Sequence, residues 1–260
     1  MLLAIDIGNT NLVFALCEGE GILAQWRIRT DHHRSADEYA VWLFALMARA
    51  GYAEQDITAA ILASVVPDAN FEVKSFVRRY VNLEPQVIAN GEIDLGMRVR
   101  IDNPRELGAD RLINAYAAWS VHQQPLIVID FGTATTFDVV SAEGDYVGGV
   151  IAPGINLSLE ALQRAAAKLH GIAITHPARV VGTTTTTAMQ SGIFYGYAGL
   201  IEGIVTRIKA ERGEAMKVIA TGGLAPLYAE AAAVIDQVDS DLTIRGLMGI
   251  HARTAHPEKP

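Results

Sequence analysis

The feature that most constrains the fold of this chain is a motif that occurs twice, once at the N-terminus and once near the middle. In each copy an apolar strand ends in an aspartate, and a sharp glycine turn follows with amide or hydroxyl side chains. The copies read Asp6-Ile7-Gly8-Asn9-Thr10-Asn11 and Asp130-Phe131-Gly132-Thr133-Ala134-Thr135-Thr136. Two more strands and then helices are predicted after both copies, so the architecture is duplicated.

Two similar halves imply a cleft between them, and small ligands usually bind in such clefts. We predict an α/β fold of two domains, with mixed sheets flanked by helices and a central cleft. Residues 1–120 form the first domain, with the first turn motif and a substrate-binding helix, and residues 121–253 form the second. Residues 254–260 are predicted to be a frayed tail. Apolar spacing and caps predict helices over 35–50, 70–81, 103–119, 155–169, 185–212, 224–233 and 246–253.

Both turn motifs have the chemistry of a phosphate site. Glycine lets backbone N–H groups approach a phosphate without a Cβ in the way, and threonine and asparagine donate further hydrogen bonds. An aspartate beside them can hold a hydrated Mg²⁺. The alternative is a plain hairpin turn, in which Asp, Gly and Asn are also common. Two such turns at matching places favour the phosphate site.

The charge composition limits how such a site could work. The net charge is −8, and the lysines are only Lys74, Lys168, Lys209, Lys217 and Lys259. Phosphate charge would therefore be met by metal ions, backbone amides and threonines. The same composition argues against nucleic-acid or anionic-membrane partners. The sequence contains neither the P-loop motif nor the Gly-x-Gly-x-x-Gly motif of dinucleotide-binding folds.

The compartment can also be inferred from the sequence. Cys17 is the only cysteine, so no intrachain disulfide can form, as suits a reducing compartment. The N-terminus lacks the basic region of a signal peptide, and no stretch of about 18 uncharged apolar residues occurs. We expect a cytoplasmic protein without a membrane span.

A third segment, 103–111, is predicted to begin a helix at Asn103-Pro104. Its small residues Gly108 and Ala109 would then lie within the helix and leave room for a ligand. Asp110 could orient a substrate hydroxyl and accept its proton, and Arg111 could pair with a carboxylate or a transferring phosphoryl group. The alternative is an exposed helix with ordinary charged residues. A like-charge pair between Glu106 and Asp110 would be mildly unfavourable, which favours a functional role.

Three further segments each allow two interpretations. The segment 148–154 either shapes a pocket wall or forms a plain strand-to-helix turn. In the threonine run 183–187, one residue is predicted to cap a helix and others could contact a ligand. Thr221-Gly222-Gly223 allows close approach of an adenine or ribose, or forms a tight turn between a strand and a helix.

Taken together, these motifs resemble type III pantothenate kinases, and the resemblance runs from Asp6 to about Gly249. The motifs occur in the family's order: Asp6-x-Gly8-Asn9-Thr10, Asn103-Pro104-x-Glu106-x-Gly108-Ala109-Asp110-Arg111, Asp130-Phe131-Gly132-Thr133-Ala134, Gly149-x-Ile151-x-Pro153-Gly154 and Thr185-x-x-Ala188-Met189-Gln190-Ser191-Gly192. The resemblance implies the actin-like, ribonuclease H-like fold. It also implies ATP-dependent phosphorylation of pantothenate, the first committed step of coenzyme A synthesis.

The resemblance also implies roles for individual residues. ATP phosphates would be bound by Asp6, Ile7, Gly8, Asn9, Thr10, Asn11, Leu12, Val13 and Thr133. Pantothenate would be held by Ile101, Gly108, Ala109, Asp110, Arg111 and Thr185, with Asp110 as proton acceptor and Thr185 contributed by the partner subunit of a homodimer. Asp130 would ligate a monovalent cation, K⁺ or NH₄⁺, and Asp6 would hold Mg²⁺ through water.

One departure from the family pattern falls at Ile101, where many members have a tyrosine that lines the pantothenate pocket. This substitution affects the substrate contacts and not the reaction class. Two alternatives to a pantothenate kinase are a non-catalytic regulatory protein on the same fold and a kinase of another small hydroxylated metabolite. Because Asp110 and Asp130 are both present, the sequence favours a working enzyme over the regulator.

Overall fold

A computed structural model describes residues 1–88, 95–165 and 172–255 of the 260-residue chain. The described residues form two compact units. The first comprises Met1–Met97, Asp102–Ala117 and the chain from Asp241 onward, and the second comprises Arg98–Ile101 and Ala118–Ser240. The predicted domain boundary at residue 120 stays a prediction. In the described ranges no helix is both long and apolar enough to cross a membrane.

The first unit contains a five-stranded mixed sheet in the order β3-β2-β1-β4-β5. Its strands are β1 (Leu2–Ile7), β2 (Asn11–Glu18), β3 (Gly21–Arg29), β4 (Ala59–Ser64) and β5 (Gln86–Ile88). β1 pairs antiparallel with β2 and parallel with β4. The central β1 is buried on both faces except at Leu2 and Asp6, which are half-buried, whereas the edge strand β3 alternates between exposed and half-buried residues.

Four helices accompany the first sheet: α1 (Ala36–Arg49), α2 (Pro67–Phe76), α3 (Ala109–His122) and α7 (Leu242–Ala255). A π-helical turn, Val77–Val81, extends α2. A Ser35–Glu38 capping box starts α1, as the sequence predicted. The C-terminal α7 belongs to this unit, where Thr243 Oγ1 donates to Asn114 Oδ1 of α3 at 2.8 Å.

The second unit repeats the first sheet strand for strand, in the order β8-β7-β6-β9-β10. Its strands are β6 (Leu126–Phe131), β7 (Ala134–Val140), β8 (Tyr146–Pro153), β9 (Lys217–Gly222) and β10 (Gln237–Val238). β6 pairs antiparallel with β7 and parallel with β9, as β1 does with β2 and β4. Its helices are α4 (Ile155–Ala165), α5 (Thr185–Arg212) and α6 (Ala225–Ala229). The predicted duplication of architecture is therefore confirmed.

Several predicted element boundaries differ from those in the structure. The helix predicted to start at Asn103 is instead a 3₁₀ turn, Pro104–Glu106, followed by an extended Leu107 and then α3. Burial of Leu107 explains the break, because its extended backbone turns this side chain into the core. α6 is shorter than the predicted 224–233. The predicted helix over 155–169 and the tail over 254–260 lie partly outside the described residues.

Candidate active site

Asp6 lies at the end of the central strand β1, where it is opposite Val13 of β2 and Ala63 of β4. It is half-buried, and its neighbours Ile5 and Ile7 are fully buried. Strand alternation thus points the carboxylate to the sheet face opposite to that of these two apolar side chains.

The turn after Asp6 is closed by one backbone hydrogen bond and by one from a side-chain hydroxyl. The N–H of Gly8 donates to the carbonyl of Asn11 at 3.0 Å, and the hydroxyl of Thr30 donates to the carbonyl of Gly8 at 2.6 Å. Asn9 and Thr10 at the tip are exposed. The amide of Asn9 and the hydroxyl of Thr10 are therefore exposed on a backbone that hydrogen bonds hold in place. This arrangement is suitable for binding an anion.

Not every residue of the predicted ATP segment has a side chain that can reach a ligand. Ile7 and Leu12 are fully buried in the core of the first unit, and Val13 is also buried. If these three contact ATP, only their backbone can do so. Asp6, Asn9, Thr10 and Asn11 are half-buried or exposed, so their side chains remain candidates for phosphate contacts.

Asp130 occupies in β6 the position that Asp6 occupies in β1, opposite Thr136 of β7 and Thr221 of β9. The following turn is one residue shorter than the first, because the N–H of Gly132 donates to the carbonyl of Ala134 at 3.0 Å. Thr133 at its tip is exposed. The second turn thus also combines a strand-end carboxylate with an exposed hydroxyl.

Asp130 has little space on the side that faces Gly222. The end of β9 approaches it so closely that a Cβ on Gly222 would lie 2.7 Å from Asp130 Oδ1 and 2.7 Å from the carbonyl oxygen of Phe131. Asp130 and the backbone of Phe131 are therefore packed against Gly222 with no room for a side chain at position 222. Gly222 also has a φ of +91°, a conformation that side chains other than glycine rarely adopt.

Asp110 is the second residue of α3, and burial raises the pKa of its carboxyl above the ordinary 3.8. The backbone N–H of Arg111 donates to Asp110 Oδ1 at 2.7 Å and partly offsets this rise. A raised pKa in a poorly solvated carboxyl is a common property of proton acceptors in active sites.

Gly108 precedes α3, so the predicted position inside a helix is wrong. The small size of Gly108 instead leaves space for the side chain of Asp110. A Cβ at position 108 would lie 2.6 Å from Asp110 Oδ1. Glu106 is also off the helix and accepts a hydrogen bond from Asn103 Nδ2 at 2.7 Å, so the predicted repulsion between Glu106 and Asp110 does not arise.

The other predicted substrate residues lie in the second unit. Ile101 is half-buried and follows a segment in which the N–H of Arg100 donates to the carbonyl of Tyr146 at 2.8 Å. Thr185 is the exposed first residue of α5. The predicted threonine cap of this helix is Thr184, whose hydroxyl accepts from the N–H of Thr187 at 3.2 Å. Capping therefore engages Thr184 and Thr187 and does not use the side chain of Thr185.

Asp138 of β7 is a fully buried carboxylate that none of the sequence motifs indicated. It accepts hydrogen bonds from Tyr146 Oη at 2.7 Å and from Thr136 Oγ1 at 3.3 Å. By strand alternation, Thr136 and Asp138 lie on the same sheet face as Asp130. The alternation of Thr136-Phe137-Asp138-Val139 was the signal that could have revealed this polar face.

The fold defined by these two sheets occurs in solved structures. A structure described as a Baf family transcriptional activator from Campylobacter jejuni has a TM-score of 0.61 at 20% identity and covers 99% of this chain and 100% of that one. The activator of the 2-hydroxyisocaproyl-CoA dehydratase from Clostridium difficile, with bound ADPNP, has a TM-score of 0.55 at 13% identity over 100% and 98%. Such identities establish the fold alone, which is the predicted actin-like α/β fold of ATPases and kinases.

Sequence comparison identifies the family within this fold class. The model of the type III pantothenate kinase family matches residues 2–207. The type III pantothenate kinase of Paramagnetospirillum magneticum is 58% identical over 257 residues, 99% of each chain. That of Caulobacter vibrioides is 56% identical over 260 residues, again 99% of each. The chain belongs to the type III pantothenate kinase family, which confirms the predicted resemblance.

Proposed function

We propose that this chain transfers the γ-phosphoryl group of ATP to the 4′-hydroxyl of pantothenate, giving 4′-phosphopantothenate and ADP. The reaction is the first step of coenzyme A biosynthesis. The observation that carries the proposal is full-length membership of the type III pantothenate kinase family at up to 58% identity among the relatives compared. The buried carboxyl of Asp110 supports it independently as a proton acceptor.

The two turn motifs are the proposed phosphate-binding loops. Exposed Asn9 and Thr10 of the first loop and exposed Thr133 of the second would donate hydrogen bonds to phosphate oxygens. Asp6 would hold Mg²⁺ through water, and Asp130 would ligate K⁺ or NH₄⁺. These ions would supply positive charge that a lysine-poor site lacks and offset the charge that develops during phosphoryl transfer.

Asp110 would align the pantothenate hydroxyl and accept its proton. The transferring phosphoryl is only loosely bonded in the transition state, so positioning of the hydroxyl contributes more than its full deprotonation. Gly108 leaves the space that the Asp110 carboxylate occupies, and Arg111 would pair with the carboxylate of pantothenate or with the moving phosphoryl group. Half-buried Ile101 would contribute apolar surface, whereas Ala109 is buried and could contact pantothenate only through its backbone.

The enzyme is proposed to act as a cytoplasmic homodimer. Thr185 supports this arrangement, because it is exposed at the start of α5 and its side chain is not used by the cap. It would reach the pantothenate of the partner subunit, so that each active site lies at the subunit interface.

Activity should fall as pH drops through the raised pKa of Asp110, because the proton acceptor must be ionised. The acid limb of the kcat/KM profile is expected above pH 3.8, the ordinary value for aspartate, and should be absent in Asp110→Asn. The stability of the fold should change with pH in the opposite direction to the activity. Folding raises this pKa, so protonated Asp110 contributes stability that is lost as pH rises through the folded-state value.

Thermal melts and pH–rate profiles of both proteins test this prediction. At pH 7 Asp110→Asn should melt at the same temperature as the wild type or higher, since no charge is then buried at this position. A variant that melts lower at pH 7 but keeps the acid limb would contradict the assigned role.

An assay of ADP release tests the function directly. Purified protein with Mg-ATP and pantothenate should release ADP, and K⁺ in place of Na⁺ should raise the rate. In Asp130→Asn the rates in K⁺ and Na⁺ should become equal. Thermal shift under the two salts gives a readout separate from turnover, since only the wild type should be stabilised more by K⁺.

A panel of other small alcohols separates the main proposal from its alternatives. Release of ADP with a hydroxy acid or sugar, but not with pantothenate, would indicate a kinase of another metabolite. Failure to release ADP with every acceptor, in either salt, would favour a non-catalytic regulator. The proposal requires pantothenate to be the best acceptor of the panel.

A further inference from the structure

The second phosphate loop is braced by a contact with the end of β8. A Cβ built on Gly154 would lie 2.7 Å from the carbonyl carbon of Thr133 and 2.9 Å from the carbonyl oxygen of Gly132. The backbone of Gly154 therefore packs directly on the peptide groups at the tip of the loop. Any shift of Gly154 would be transmitted to Thr133, because no side chain or gap lies between them.

Gly154 is in turn held by a side chain from another element, Tyr197 of α5. The Tyr197 hydroxyl is 2.9 Å from the carbonyl oxygen of Pro153 and 3.2 Å from that of Gly154. A phenol has one proton, so the two carbonyls share this donor. The hydroxyl of Ser158 also contacts the Tyr197 oxygen and must then be the donor in that pair.

Tyr197 is held in place by the packing around it. Tyr197 is 7% exposed and lies within α5, a helix of 28 residues. Its ring meets Tyr228 edge to face with centroids 6.5 Å apart, and Tyr228 stacks on both Phe131 and Phe194. The hydroxyl is therefore fixed by packing before it reaches the two carbonyls.

We propose that Tyr197 is a positioning residue of the ATP site, which sets the main chain at Thr133 through Pro153 and Gly154. The inference rests on the proposed function, from which the contact of Thr133 with ATP phosphates comes. The hydrogen bonds of Tyr197 to Ser158, Pro153 and Gly154 involve none of the residues proposed to hold pantothenate. Its effect should therefore fall on nucleotide binding and spare pantothenate binding.

Tyr228→Phe is a matched control for Tyr197→Phe. Both tyrosines are buried in the same aromatic cluster, and both substitutions remove only a hydroxyl. The Tyr228 hydroxyl has no hydrogen-bond partner among the described residues, whereas that of Tyr197 has three. Both variants thus lose a hydroxyl oxygen, but only Tyr197→Phe also loses the hydrogen bonds to the carbonyls of Pro153 and Gly154.

In Tyr197→Phe the KM for ATP and the Kd for AMPPNP should rise about five- to tenfold, the loss expected for one hydrogen-bonded group. The KM for pantothenate should stay within about twofold of the wild type, and Tyr228→Phe should leave all three constants within that limit. Nucleotide binding is measured by calorimetry without pantothenate.

An unchanged Kd for AMPPNP in Tyr197→Phe would overturn the inference. So would equal rises in the KM for ATP and for pantothenate, which indicate a general structural defect. If the wild type binds AMPPNP but does not phosphorylate pantothenate, the proposed function fails while the comparison of Kd values still decides the role of Tyr197.

Discussion

Asp110→Asn should lower kcat for pantothenate phosphorylation by about 10²- to 10⁴-fold, the range measured for loss of general acid–base groups. The substitution changes little else. Asparagine has almost the same size, and its Oδ1 can still accept the 2.7 Å hydrogen bond from the N–H of Arg111. We therefore expect the KM for ATP to change by less than about threefold, because only the step at the pantothenate hydroxyl needs the carboxylate.

Asp68→Asn provides the control for this variant. Asp68 is likewise the second residue of its helix, α2, but it is exposed, so its carboxylate is solvated and its removal should leave kcat within about twofold. Steady-state kinetics of the three proteins at saturating substrates make the comparison. Asp110→Asn with more than a tenth of the wild-type kcat would show that the carboxylate does not act in the reaction.

Gly222→Ala should cause a large loss of both stability and activity. The new Cβ would lie 2.7 Å from Asp130 Oδ1 and 2.8 Å from the backbone nitrogen of Phe131, and the φ of +91° disfavours any side chain. Strained backbone of this kind costs about 1–3 kcal/mol, before the clash with Phe131 is added. We expect the melting temperature to fall by roughly 5 °C or more and K⁺-dependent activity to fall more than tenfold.

Gly223→Ala is the control, since the adjacent glycine has no atom within 4 Å of its added Cβ and no positive φ. Its melting temperature and activity should stay close to those of the wild type. Differential scanning calorimetry and the ADP-release assay in K⁺ and in Na⁺ test both variants. Equal behaviour of Gly222→Ala and Gly223→Ala would show that close packing around Asp130 is not required.

The duplicated architecture was predictable because the motif that revealed it has a physical cause. A carboxylate at the end of a central strand is costly to bury, so Asp6 and Asp130 mark the points where the two central strands leave the core. The glycine after each aspartate permits the sharp return that pairs β1 with β2 and β6 with β7. β10 was not predicted, because Gln237–Val238 is too short to show a periodic pattern.

The substrate segment shows where sequence reasoning failed. Asn103-Pro104 satisfies the local rules for a helix start, but burial of Leu107 forces extended backbone and delays α3 until Ala109. Local sequence signals do not predict this delayed helix start, because tertiary packing of Leu107 stabilises the extended backbone. The assignment of Asp110 as a candidate proton acceptor did not depend on the helix boundary, and its burial and raised pKa support that role.

The support of Thr133 by Tyr197 could not have been predicted either. Gly154 was noted in the sequence as part of a pocket wall or a turn and of a family motif, with no partner indicated, and Tyr197 is one of several aromatic residues on α5. The contact between them depends on how α5 packs against the end of β8, which involves residues that are distant in sequence. A glycine in a sequence can indicate that another segment approaches its backbone closely, but it does not show which segment that is.

Mass spectrometry of the complete reaction tests the central claim most directly. Protein, Mg-ATP, K⁺ and pantothenate should yield 4′-phosphopantothenate and ADP in equal amounts, and Asp110→Asn should yield almost none of either in the same time. If ADP forms without phosphopantothenate, or if the wild type and Asp110→Asn form the product equally fast, then the proposed pantothenate kinase mechanism is contradicted.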